Sequence, residues 1–108
     1  MTAYQRVILV SVLQCYFLDE KEMEEINELE LKEEYFTGYF KSVVRTINIL
    51  RKTNPIVNDD MVEEFLVSKN HFNQREYIAI LTTLGTSLSC LKWYIDKLRG
   101  EYTKRLLK

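Results

Sequence analysis

The chain has 108 residues, 46% of them hydrophobic and 29% charged, which is the balance of a single globular domain with its own core. A chain of this length buries roughly two-thirds of its unfolded surface, so it needs neither a disulfide nor a structural metal to fold. The net charge of −1 excludes an overall pull toward nucleic acid or an anionic membrane. Only three glycines and one proline are present, and the scarcity of turn clusters points to an all-α fold, a compact bundle of about five to six helices.

Thr2 is placed to cap a first helix running to about Phe17. The run Arg6 to Leu18 (RVILVSVLQCYFL) is apolar nearly all round. It is too short to span a bilayer, and the residues after it are acidic rather than small, unlike a signal peptide. We therefore expect a buried central helix. Asp19 caps a short second helix holding Met23 and Ile26. Asn27 to Glu34 alternates leucines with acids; with no second strand to pair with, it is expected to be an extended or one-turn connector with Leu29 and Leu31 turned inward.

The segment Tyr35 to Ile56 carries the clearest periodicity. Phe36, Phe40, Val43, Val44, Ile47 and Leu50 recur at steps of three and four, which places them on one wide helical face and predicts a core strut. Thr37 is its expected cap or an early first-turn residue. Lys41, Ser42, Arg45, Asn48, Arg51 and Lys52 form the opposite face, where any role beyond packing would lie. Asn54-Pro55 stops the helix, because proline lacks an N–H and pushes its predecessor out of the α region.

Asn58 or Asp59 caps the next short helix, with Met61, Val62, Phe65 and Leu66 on one side. Asn73 and Glu76 have capping-box spacing ahead of a helix presenting Tyr77, Ile78, Ile80, Leu81 and Leu84, which Gly85 is placed to end. Thr86 or Ser87 caps the last helix. Its apolar residues Leu88, Leu91, Ile95, Leu98 and Tyr102, with Leu106 after, have heptad spacing, the pattern of a helix laid along one partner helix. Trp93 and Tyr94 flank the seam and Gly100 interrupts it. The reading is a globular head over 1–85 and a hairpin or seam helix over 86–108.

Residues with chemical potential are dispersed. His71 is a lone loop histidine, expected to be solvent-exposed, with no cysteine or carboxylate at ligand spacing. No Cys-x-x-Cys and no phosphate-cradling glycine loop occur, so no metal and no cofactor is implied. The paired acids Glu24-Glu25, Glu33-Glu34, Asp59-Asp60 and Glu63-Glu64 are neighbours in sequence and point apart on a helix. No catalytic residue is assigned and no small-molecule substrate is expected. Cys15 and Cys90 both read as buried free thiols in a reducing compartment, the cytoplasm. Charge is uneven: Asp19 to Glu34 holds nine acids and two lysines, and Lys92 to Lys108 six bases and two acids. The cations Lys92, Lys97, Arg99, Lys104, Arg105 and Lys108 spread around their helix rather than lining a groove, which disfavours direct nucleic-acid binding.

The order of motifs resembles the N-terminal domain of bacterial replicative DNA helicases of the DnaB type. YQRVILVSVL is similar to that family's first helix, Tyr35-Phe36 to its Phe-Tyr pair, and Val43-Val44, Ile47 and Leu50 to its central apolar positions. Pro55-Ile56 looks like the start of its Pro-Ile-Asp turn, MVEEFL and FNQREYIAIL like the next two helices, and LSCLKWYIDKLRGEYTKRLL like the first arm of its helical hairpin. Gly38, Tyr39 and Phe40 replace a Pro-His-Arg-like stretch, Val57 stands where the family has Asp, and Phe72-Asn73 replaces a Gly-Gly. The C-terminal helicase-binding domain of bacterial primase is a competing resemblance, with an apolar first helix and a long last one.

The helicase resemblance implies a non-catalytic collar domain that supports ring assembly and docks primase or a loader, the motor being a separate domain. Its partners would be other copies of itself, primase and possibly a loader. The primase resemblance implies binding to a helicase hexamer instead. A third reading is a small stand-alone regulatory protein that binds nucleic acid with its basic tail. Under the first reading the self-association or partner seam is Leu91, Trp93, Tyr94, Ile95, Leu98, Tyr102 and Leu106, covered by a dimer or by an extra contact with the head.

Overall fold

Helix α1 spans Thr2–Leu13 and supplies the centre of the molecule, with Ile8, Leu9, Val10, Val12 and Leu13 fully buried. The computed structural model describes residues 2–107, Thr2 as backbone only, so the capping role expected of Thr2 lies outside the described residues. The helix ends four residues short of Phe17; a separate 3-10 turn, Cys15–Phe17, follows. Four more helices are α2 (Glu20–Glu28), α3 (Gly38–Arg51), α4 (Asp59–Ser68) and α5 (Gln74–Leu81), and α6 (Leu88–Leu106) is the longest. A second 3-10 turn, Glu33–Tyr35, interrupts the connector between α2 and α3. The fold is all-α, with no strand among the described residues. No helix there is long and apolar enough to cross a membrane.

The caps are the short polar residues that satisfy orphan N–H groups at helix starts. Asp19 accepts from the Glu22 N–H, Asn58 from that of Met61, Asn73 from that of Glu76 and Ser87 from that of Cys90. Thr37 occupies the cap position of α3 but makes no capping bond; its hydroxyl and N–H turn to Gln5 instead. Gly38, the first residue of α3, has φ +55°, a left-handed conformation that side chains with a Cβ resist.

The apolar face of α3 is core as its spacing predicts: Phe36, Phe40, Val43, Val44 and Ile47 are buried and Leu50 partly so. Leu31 is buried and Leu29 packs against the same core, so the alternating segment is an inward-turned connector. The opposite face of α3 holds that connector. Arg45 donates to both carboxylate oxygens of Glu33, at 3.2 and 3.0 Å. Asn48 donates to the Leu31 carbonyl at 2.8 Å. The Arg51 guanidinium donates to the carbonyls of Leu29 and Ile26 at 2.7 and 3.2 Å. Arg45 and Arg51 are thus structural clamps rather than a free basic surface, which corrects the expectation for that face.

Two further expectations are corrected. Gly85 does not end α5, which stops at Leu81 with Thr82 as its C-cap. Gly85 lies where a Cβ would come within 3.3 Å of Ser11 Oγ, so its value is close approach of the α5–α6 loop to α1. Cys90 is exposed, not buried, whereas Cys15 is buried, and both are free thiols.

Candidate protein-docking face

Helix α6 runs antiparallel to α1. Ser11 Oγ accepts from the Thr86 N–H just before α6, at 3.0 Å, and Tyr4 near the start of α1 meets Trp93 and Tyr94. The two helices make the most extensive helix–helix contact in the fold. The heptad seam therefore has its partner helix within the chain. Leu91 and Leu98 are fully buried and Ile95 nearly so, all in the single core cluster.

These three residues are part of the core and present no surface to a second molecule, which corrects their place in the expected docking seam. The boundary expected near residue 85 falls in the loop between α5 and α6. Helix α6 belongs to the globule through Leu98, and the head covers Leu91, Ile95 and Leu98.

The remaining seam residues fall in two places. Tyr102 is half-buried against Tyr35, ring centroids 5.1 Å apart, with the Arg105 guanidinium 5.6 Å above its ring. Leu106 is exposed, as is Leu107 beside it. Trp93 is 51% exposed. It stands edge-on to Tyr4 at 6.2 Å and to Tyr94 at 5.1 Å, and Lys97 Nζ lies 5.1 Å from its ring centroid.

Tyr4, Trp93, Tyr94 and Lys97 form one patch on the outer side of the α1–α6 pair. Heptad periodicity selects the inward residues, with Trp93 and Tyr94 flanking them, and gives no sign of Tyr4 or Lys97 as their neighbours. Tyr4, 89 positions away in sequence, joins the patch only because α6 folds back along α1. A half-exposed indole braced by two other rings loses little side-chain entropy on binding, the property of an interface anchor.

The other candidates are placed as follows. His71 is exposed and lies with Arg45, Ile49, Phe65 and Lys69 around a cleft of about 320 Å³ between α3 and α4. Among the described residues no three His, Cys, Asp or Glu side chains are placed to hold a metal ion. Of the tail cations, Arg99 pairs with Asp96 at 3.5 Å and Arg105 donates to the Tyr35 carbonyl at 3.5 Å. Lys108 lies outside the described residues. Burial raises the pKa of the Cys15 thiol, whereas bonds with Ser87 and Thr86 lower that of Cys90.

No protein-family model, curated protein or solved structure matches the chain.

Proposed function

We propose that the chain is a protein-docking and self-association module without a reaction of its own, working in the DNA replication machinery as the collar domain of a replicative helicase. Docking is supported above all by one observation: the outer side of α6 carries Trp93, braced by Tyr4 and Tyr94 and half open to solvent, while its inner side is consumed by the core. The replication setting is supported by the order of sequence motifs along nearly the whole chain. Primase or a loader is the partner this reading assigns to the α1–α6 face.

The test immobilises the chain and offers it purified bacterial primase and, separately, a purified replicative helicase hexamer. Capture of primase, weakened at least about tenfold by Trp93→Ala as expected of an aromatic anchor, supports the collar reading. Capture of the hexamer alone supports a primase-derived domain that binds helicase. Capture of neither sinks both.

A further inference from the structure

Helices α3 and α4 leave between them a cleft of about 320 Å³, the size of a small-molecule site. Ile49 of α3, 40% exposed, and the half-buried Phe65 of α4 give it an apolar wall. Arg45, Lys69 and His71 are its basic groups, and among the described residues no acidic side chain lines it. Lys69 Nζ lies 5.6 Å from the Phe65 ring centroid, so cation and ring stand together. Arg45 is held on Glu33 through its Nε and Nη2, which fixes the guanidinium and leaves Nη1 open. Among the described residues no protein acceptor engages the Lys69 ammonium or the His71 ring. Hydrogen bonds set the rim. Helix α4 ends in a Schellman turn: the His71 N–H donates to the Leu66 carbonyl at 2.8 Å and the Asn70 N–H to that of Val67 at 3.0 Å. Asn70 takes the left-handed conformation this turn needs, at φ +58°, which asparagine tolerates. The Tyr39 hydroxyl donates to the His71 carbonyl at 3.1 Å and accepts from the Asn73 N–H at 2.9 Å. The backbone of His71 is thus anchored on both α3 and α4, and its ring is left beside two cations.

We propose that this cleft binds a small molecule with a flat aromatic body and one anionic group, a carboxylate or a phosphate. The body lies against Ile49 and Phe65, and the anion takes N–H donors from Lys69, His71 and the open side of Arg45. The Ser42 hydroxyl, also in the lining, adds a further donor. Glu33 offsets the charge of Arg45, so the excess positive charge is that of Lys69, and neither half of the ligand suffices. A lone anion meets an exposed ammonium in water, which contributes little, and a neutral ring leaves the donors unused. Donors already held in place lose little freedom on binding. The cleft lies on α3 and α4 and Trp93 on α6, so this site does not rest on the docking face.

The test is a titration of the isotope-labelled 108-residue chain with benzoate and, separately, with phenyl phosphate, followed by amide chemical shifts. Acetate, inorganic phosphate and benzyl alcohol each carry one half of the ligand and serve as controls. At least one aryl anion is expected to bind with a Kd of about 1 mM or tighter, with shifts centred on Ser42, Arg45, Ile49, Lys69 and His71. The tighter of the two assigns the anionic group. Each control is expected to bind at least about tenfold more weakly. One variant carries Lys69→Gln with His71→Gln and removes donors; the other, Ile49→Asp, sets a carboxylate in the apolar wall. All three side chains are exposed, so both variants are expected to fold, which circular dichroism melts check, and each is expected to weaken binding at least about tenfold. No binding of either aryl anion, a control that binds as tightly, shifts centred outside the cleft, or a folded variant with wild-type affinity overturns the proposal.

Discussion

Gln5, 2% exposed in α1, holds the start of α3 through Thr37: its Oε1 accepts from the Thr37 N–H at 2.9 Å, and its Nε2 donates to the Thr37 hydroxyl at 3.1 Å. Thirty-two residues separate the two in sequence. Gln5 serves the N–H of the cap residue itself, the group that a Glu or Gln in the first turn reaches in a capping box. Gln5→Leu keeps the apolar volume and removes the acceptor, leaving a part-buried N–H without its partner. The expected loss is about 1–3 kcal/mol, measured by urea denaturation. An unchanged midpoint would show that water replaces the bond.

The glycines of two helices are expected to respond in opposite directions. No atom lies within 4 Å of a Cβ at Gly38 or Gly100, so packing decides neither. Gly38 has φ +55°, and Gly38→Ala is expected to cost about 1–2 kcal/mol. Gly100 sits inside α6, and Gly100→Ala is expected to stabilise by up to about 1 kcal/mol. Thermal melts of the two variants check the signs.

Arg51 ties the C-terminal end of α2 to α3 by its bonds to the carbonyls of Ile26 and Leu29, while its buried Nε has no hydrogen-bond partner. Arg51→Met retains the stem and removes the donors, with an expected loss of about 2–3 kcal/mol. Arg51→Lys, which keeps the charge but not the fork, is expected to recover part of it. Hydrogen exchange should quicken first in α2 and the connector; uniform quickening would count against a local clamp.

Tyr77, 1% exposed, donates its hydroxyl to the Asp59 carbonyl at 2.8 Å. Burial first, then the nearby acids, raise its pKa well above the ordinary tyrosine range. The neutral phenol is the form the fold favours. Its contribution is therefore whole below the unfolded value of about 10 and is lost as pH rises from there toward the raised folded value. In a spectrophotometric titration of the seven tyrosines, ionisation of Tyr77 is expected to coincide with alkaline unfolding. Tyr77→Phe should remove that late step and lower stability at neutral pH by about 1 kcal/mol.

The two thiols are expected to differ in reactivity. Cys90 is exposed and its pKa lowered by bonds with Ser87 and Thr86; Cys15 is buried and its pKa raised. Because the thiolate is the reactive form, a disulfide reagent should label one thiol quickly in the native protein and the second only on denaturation. Cys90→Ser should abolish the quick phase. Two equal rates would contradict the placement of Cys15.

The sequence by itself determined the helical class, the long last helix, the caps at Asp19 and Asn73, and the buried face of α3; it narrowed two more caps to Asn58 or Asp59 and Thr86 or Ser87, of which the structure uses Asn58 and Ser87. All are local: a cap reads three residues ahead and an apolar stripe repeats within two turns. It also determined that the last helix carries a seam with one partner. Only the tertiary structure decided which helix that partner is, because heptad spacing has the same appearance whether the facing helix belongs to the same chain or to another. The antiparallel return of α6 along α1 buried Leu91, Ile95 and Leu98 and left Trp93 outside with Tyr4. The Gln5–Thr37 and Arg51–Ile26 bonds were equally invisible in the sequence, since each joins residues more than twenty positions apart that only packing brings together.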